Sequence, residues 1–256
     1  MKSLKQRLKD GEILHGCWLN LANTITSEIV GQAGFDWVLI DLEHGVGTES
    51  EALHQIQSLA SGTAIPIFRV ESSARQRAYR MLDLGPQGIM FPQARNEVDA
   101  KVAVQGMRYP PEGGRGMATM TRATNYGKNI PDYLENQTKE LLGIIQVETP
   151  EILNHLDQVA RVDGVDILFV GPNDLSMGLG IFKQFDDPKF KEAMEATAQA
   201  AKNAGIWSGI LLQKLEDYPY YRDLGFQFLA FDSDAGFVSQ AAKKTAEALS
   251  EYRDQR

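Results

Sequence analysis

The sequence contains one cysteine, Cys17, so no disulfide can close within the chain and no cysteine-based metal cluster can be built. Apolar runs are short, none approaching the roughly 18 residues of a membrane span. The first residues, MKSLKQRLKDGEILHG, are charged and helix-like, unlike a basic patch followed by an apolar core. Positive charge is in deficit. Twenty-six Lys and Arg face 34 Asp and Glu, a net charge of −8, and no basic cluster with interleaved aromatics occurs, which argues against nucleic acid as a partner. A small anionic substrate stays open, because one Arg and one metal ion reverse the sign locally. Several motifs are missing as well: no GxGxxG or GxxxxGK[ST], no HExxH among the four histidines, and no GxSxG. Nucleotide-fold, zincin and serine-hydrolase readings lose their main support. The expectation is a soluble, cytoplasmic protein with no membrane partner.

What is present is a repeating β-then-α pattern. Apolar runs stand near residues 13–20, 36–41, 65–70, 87–91, 141–147, 165–170, 206–212 and 226–231. Segments of helical period or composition lie at 23–33, 48–61, 72–84, 94–107, 149–162, 188–204, 215–224 and 234–252. Near-continuous apolar strands predict a parallel sheet buried on both faces. Eight alternations favour closure into a (β/α)8 TIM barrel, the α/β fold whose usual size is about 250 residues. No linker or composition break interrupts residues 1–256, so one domain is expected.

Some boundaries carry helix signals. Asp187 before Pro188 reads as a helix start, Gly205 as a left-handed helix end, and Thr149 with Pro150 and Glu151 as a second start. The irregular stretch from Tyr109 to about Pro131 is longer than ordinary α/β loops. Gly113, Gly114 and Gly116 give it freedom, and Arg115, Arg122, Asn125 and Tyr126 give it polar reach. It reads either as a solvated excursion or subunit contact, or as a loop folding over the pocket and binding an anion.

Four apolar runs end in chemically capable residues. WVLIDLEHG ends with Asp41, Glu43 and His44; IPIFR with Arg69; LLGIIQVE with Gln146 and Glu148; and VDILFVGPND with Asp174. In a parallel barrel these exits converge on one face. Glu148 and Asp174 are hard oxygen donors of the kind Mg2+ takes one or two of, keeping positions for water or substrate. Each also fits a helix-start acid. Gln146 and Glu148 share one side of their strand. Asp174 follows Gly171, Pro172 and Asn173, where a short helix could begin and its N–H groups hold a substrate carboxylate. Arg69 suits a carboxylate or a developing enolate, or a structural ion pair with a neighbouring acid. His44, flanked by acids, suits proton transfer, with a carboxylate fixing its tautomer. Lys214 follows the seventh run and could form a Schiff base. A solvent-facing helix start is the other role it fits.

The segments FDWVLIDLEHG, IPIFRV, LDLGPQGIMFPQ, RYPPEGGRG, RATNYG, IIQVETPEIL and DGVDILFVGPNDLSMGLG together resemble the HpcH/HpaI aldolases, a family of metal-dependent pyruvate aldolases, over roughly residues 16–235. The resemblance implies a divalent cation (Mg2+, Mn2+ or Co2+) on Glu148 and Asp174. It also implies Arg69 on the pyruvyl oxygens, Gln146 lining the site, and His44 in proton transfer supported by Asp41. Asp83, in MLDLG, matches an acid that the family brings to this histidine from a neighbouring subunit. A hexamer exchanging a C-terminal helix, here about 234–252, is implied too. The reaction expected is reversible cleavage of a 4-hydroxy-2-oxo acid to pyruvate and an aldehyde, with the aldehyde expected to be chosen by the 109–131 stretch. Oxaloacetate decarboxylation through the same enolate, and a noncatalytic barrel, are the alternatives.

Overall fold

The computed structural model describes residues 2–254. Eight strands, β1 (Leu14–Leu19), β2 (Trp37–Asp41), β3 (Ile65–Arg69), β4 (Gly88–Phe91), β5 (Leu142–Val147), β6 (Ile167–Val170), β7 (Trp207–Leu212) and β8 (Phe228–Ser233), form a closed barrel in sequence order. Every neighbouring pair is parallel, including β8 against β1. The architecture is the TIM barrel read from the alternation.

Closure divides the apolar residues into two sets by strand parity. Trp37 and Leu39 on β2, Ile65 and Ile67 on β3, Leu142 and Ile144 on β5, Phe169 on β6 and Phe228 on β8 fill the interior. Val38, Ile40, Phe68, Ile145, Val147, Leu168, Val170 and Leu229 face the surrounding helices. Trp37 stacks on Phe228 with ring centroids 4.0 Å apart, and Phe169 meets both edge-on. Gly16 makes this possible, since a Cβ there would lie inside the Trp37 indole. The same parity sends the next inward position of each strand to the barrel mouth: Asn20 after β1, Asp41 on β2, Arg69 on β3, Gln146 and Glu148 on and after β5.

A short N-terminal helix, α1 (Leu4–Lys9), completes the interior from the other end. Leu4 and Leu8 are buried in the same cluster as Trp37 and Phe228. Lys5 pairs with the buried Asp166 at 2.7 Å. Outside the strands lie α2 (Thr24–Gln32), α3 (Glu49–Leu59), α4 (Arg75–Leu82), α5 (Glu97–Gln105), α6 (Ile130–Glu140), α7 (Leu156–Ala160), α8 (Pro172–Gly178), α9 (Pro188–Ala204), α10 (Tyr218–Leu224) and α11 (Asp234–Asp254). Among the described residues no helix is long and apolar enough to cross a membrane.

The helix signals are met unevenly. Asp187 caps α9 by accepting from Lys189 N, and Gly205 ends it at φ 71°. Thr149 is not a cap. Its hydroxyl donates to the Ala94 carbonyl, and the segment 149–162 becomes a one-turn 3-10 helix, Glu151–Asn154, followed by α7. Helix α6 lies where no element was expected, because IPDYLENQTKE has few apolar residues to mark it.

Candidate active site

Asp41 and Arg69 are Cα partners in the β2–β3 register, both pointing inward. Arg69 donates from Nε to Asp41 Oδ1 at 2.9 Å and from Nη2 to Oδ2 at 2.7 Å. Its Nη1 lies 3.2 Å from Glu43 Oε2. Asp41 also accepts from the backbone N–H of Glu43 and of His44, which folds DLEHG back over the strand end. Burial pushes the Asp41 carboxyl up, but the hydrogen bonds and charge of Arg69, with those backbone donors, outweigh it and hold the group below the usual carboxylate range.

Glu148 is buried beside this pair. Gln93 holds one of its oxygens, Oε1, by backbone N–H at 2.7 Å and by Nε2 at 3.1 Å. Gln93 does so from a left-handed backbone, φ 58°. Burial, then the like charges of Glu43 and Asp174, push Glu148 up to about 7 against the Gln93 backbone bond and Arg69. Glu43 is raised as well, chiefly by burial. Asp174 sits exposed in the first turn of α8, directly after the β6 exit. Gly171, between them, has no room for a side chain: a Cβ would come 2.8 Å from both Gln146 Nε2 and Glu148 Oε2.

These carboxylates suit a divalent cation. Asp41, Glu43 and Glu148 surround the Arg69 guanidinium, Asp174 adds its charge to that of Glu43 at Glu148, and Gln146 Oε1 is buried without a partner. Among the described residues no group of three or more His, Cys, Asp or Glu is arranged for an ion. Glu148 and Asp174 are the two carboxylates that could serve a cation of the Mg2+ kind, which takes one or two and keeps several positions for water or substrate.

The remaining residues fall less closely around this centre. The His44 side chain is 67% exposed, and its nearest carboxylate is Glu43 at 4.0 Å. Asp41 accepts from the His44 backbone N–H, and no described contact joins it to the His44 ring. Asp83 closes α4 on the way back to the start of β4, where its Oδ1 accepts from Arg115 at 2.9 Å, and no described contact joins it to His44. The 109–131 stretch does not fold over this chain's own pocket. Its hydrogen bonds go to Gln105, Arg108, Asp83, Leu84 and Arg75. Arg115, buried, is sandwiched near Tyr109 and Tyr133. Lys214 is exposed, directly before the one-turn 3-10 helix Leu215–Asp217.

Two site residues escaped the sequence reading, Gln93 and Asn20. Both stand at strand exits, but as neutral amides neither signals chemistry. Beside the carboxylates, a cavity of about 300 Å3 opens between Trp18, Asn20, Asn173, Leu211, Phe231 and Asp232.

Residues 14–241 match the family described as HpcH/HpaI aldolase/citrate lyase. A hydroxypyruvate/pyruvate aldolase from Delftia acidovorans is 36% identical over 239 residues, 93% of this chain and 88% of that protein. A 5-keto-4-deoxy-D-glucarate aldolase from an Enterobacter species is 34% identical, over 96% of this chain and 95% of the other. Among solved structures, an HpcH/HpaI aldolase/citrate lyase family protein from Burkholderia cenocepacia superposes with a TM-score of 0.90 at 34% identity, covering 98% of each chain.

Proposed function

This chain belongs to the HpcH/HpaI aldolase/citrate lyase family, and from that premise we propose that it is a metal-dependent carbon–carbon lyase cleaving a 4-hydroxy-2-oxo acid to pyruvate and an aldehyde, reversibly. The observation that carries the reading is a guanidinium clamped by one carboxylate at the edge of a second, electron-rich group of carboxylates, all at the strand exits.

In this reading Glu148 and Asp174 would hold Mg2+, Mn2+ or Co2+. When bound, such an ion would supply Lewis-acid charge to the 2-oxo acid. Arg69, fixed by Asp41, turns its remaining donors to the keto and carboxylate oxygens of that acid and stabilises the negative charge that develops as the C3–C4 bond breaks. The 4-hydroxyl proton passes to a base, His44 or water. The bond electrons form the enolate, the aldehyde leaves, and proton return to C3 gives pyruvate. Gln146 lines the pocket, and Gly171, Pro172 and Asn173 shape the start of α8 where N–H groups meet the substrate carboxylate.

The assembly belongs to the same reading. We take residues 1–256 as one domain in a homo-oligomer, a hexamer by family resemblance, with α11 exchanged between subunits and Asp83 offered to a neighbour's His44. Support comes from exposed Val238, Leu249 and Tyr252 on α11, and from Ile25 and Ile29 on α2. It comes also from the separation of Asp83 from its own His44. A cytoplasmic location accords with the lone, buried Cys17.

Incubation of pyruvate with a panel of aldehydes and Mg2+, Mn2+ or Co2+, with an EDTA control, tests the reaction. The expected result is metal-dependent 4-hydroxy-2-oxo acid. Carbon dioxide from oxaloacetate with no aldol product would instead favour the decarboxylase.

A further inference from the structure

The Asp41 carboxylate has one more side-chain partner besides Arg69. Asn20, the residue following β1, donates from Nδ2 to Asp41 Oδ2 at 2.7 Å. An ionised carboxylate only accepts, so the amide must present its NH2 there and its orientation is fixed. The main chain of Asn20 is committed on both sides. Its carbonyl accepts from Val46 N at 3.1 Å, pinning the far end of the turn that carries Glu43 and His44. Its N–H donates to Asp234 Oδ1 at 2.8 Å. Asp234, the first residue of α11, is 1% exposed, and its other oxygen receives the Thr26 hydroxyl at 2.9 Å. An unbroken series of hydrogen bonds thus runs from Asp234 through Asn20 and Asp41 to Arg69.

We infer that Asn20 is a positioning residue that locks the Asp41–Arg69 fork and the His44 turn into one arrangement, with Asp234 anchoring it to the first turn of α11. The inference rests on Arg69 being the group that meets the pyruvyl oxygens, and it concerns the residues that hold Arg69 in place. A forked grip on a carboxylate orients a long arginine only if the carboxylate is itself held. The two backbone donors to Asp41 are at 3.1 and 3.3 Å, so the Asn20 bond at 2.7 Å is the shortest constraint on it apart from Arg69 itself. Gly45 lets the turn close this tightly, because a Cβ there would strike the Asp41 carbonyl and lie 3.3 Å from that of Asn20.

The test uses Asn20→Leu, which keeps the branched heavy-atom shape and the main-chain bonds, and Asn20→Ser, whose hydroxyl is too short to reach. The probe is oxalate, a planar dianion resembling the pyruvate enolate, titrated calorimetrically with Mn2+ present. Both variants should bind oxalate about tenfold more weakly or worse, whatever happens to Tm. Ser27→Ala serves as the comparison, since Ser27 is buried in α2 and bonded to Gln55 but is not part of the series. It should lower Tm and leave oxalate affinity unchanged. Oxalate affinity within twofold of wild type in whichever Asn20 variant folds would overturn the inference. A second readout is independent of ligand: hydrogen exchange of the Arg69 Nε–H by 15N NMR. If wild-type protein binds no oxalate, the proposed function fails, and the inference is decided on exchange alone. Faster exchange in the Asn20 variants supports it, and unchanged exchange overturns it.

Discussion

Arg69 holds both oxygens of Asp41 across the β2–β3 register, at 2.9 and 2.7 Å, and both side chains are almost wholly buried. A buried pair gains little over a well-packed apolar pair, but removing one partner strands the other, at about 3–5 kcal/mol. Arg69→Met is therefore expected to lower stability by an amount of that order and to abolish turnover. Urea unfolding and a pyruvate-forming assay check the two effects separately.

The pH dependence of that pair has a definite sign. Asp41 titrates below its unfolded value, so its contribution is fully present above roughly pH 4 and fades as pH falls through the depressed folded value. Asp41→Asn should be less stable than wild type at pH 7, with the gap narrowing steadily below pH 4. Parallel urea titrations between pH 3 and 7 measure it. A gap that widens toward acid contradicts the assignment.

Metal and proton roles separate by substitution. Glu148→Ala or Asp174→Ala should abolish both Mn2+ binding, read by calorimetry, and activity. His44→Ala should retain Mn2+ and lose about 10²–10⁴-fold in turnover. A His44→Ala enzyme at full rate would remove the histidine from the mechanism.

The N-terminal helix closes the barrel without reaching the chemistry. Leu8 is 1% exposed beneath the aromatic layer, so Leu8→Ala should cost about 2–5 kcal/mol. KM and kcat at 25 °C should stay as in wild type, because Leu8 and the carboxylates lie at opposite ends of the strands. Denaturant unfolding and steady-state kinetics give the comparison.

Strand parity made much of this legible from sequence. Once eight parallel strands close, the inward position at each exit is forced, and Asp41, Arg69, Gln146 and Glu148 follow from counting by twos. What parity does not carry is what the loops do. Gln93 reaches Glu148 through a left-handed backbone that no side-chain pattern encodes. Asn20 reads as an ordinary amide until β1 and β2 lie side by side. The 109–131 stretch advertises polar reach, but its direction is set by contacts with the turn after α4. Asp41 meets His44 through the backbone N–H, and its forked bond to an arginine on the neighbouring strand is visible only once β2 and β3 are in register.

The central claim is pyruvate enolate formation beside the Asp41–Arg69 fork, with Glu148 and Asp174 as the residues that would hold a divalent cation supplying Lewis-acid charge. The most direct measurement is exchange of pyruvate methyl protons in D2O, followed by 1H NMR with Mg2+ or Mn2+ and then with EDTA. The account predicts enzyme-dependent loss of the methyl signal with metal, abolished by EDTA and by Glu148→Ala. Exchange that persists in EDTA, or no exchange with any of Mg2+, Mn2+ and Co2+, would contradict it.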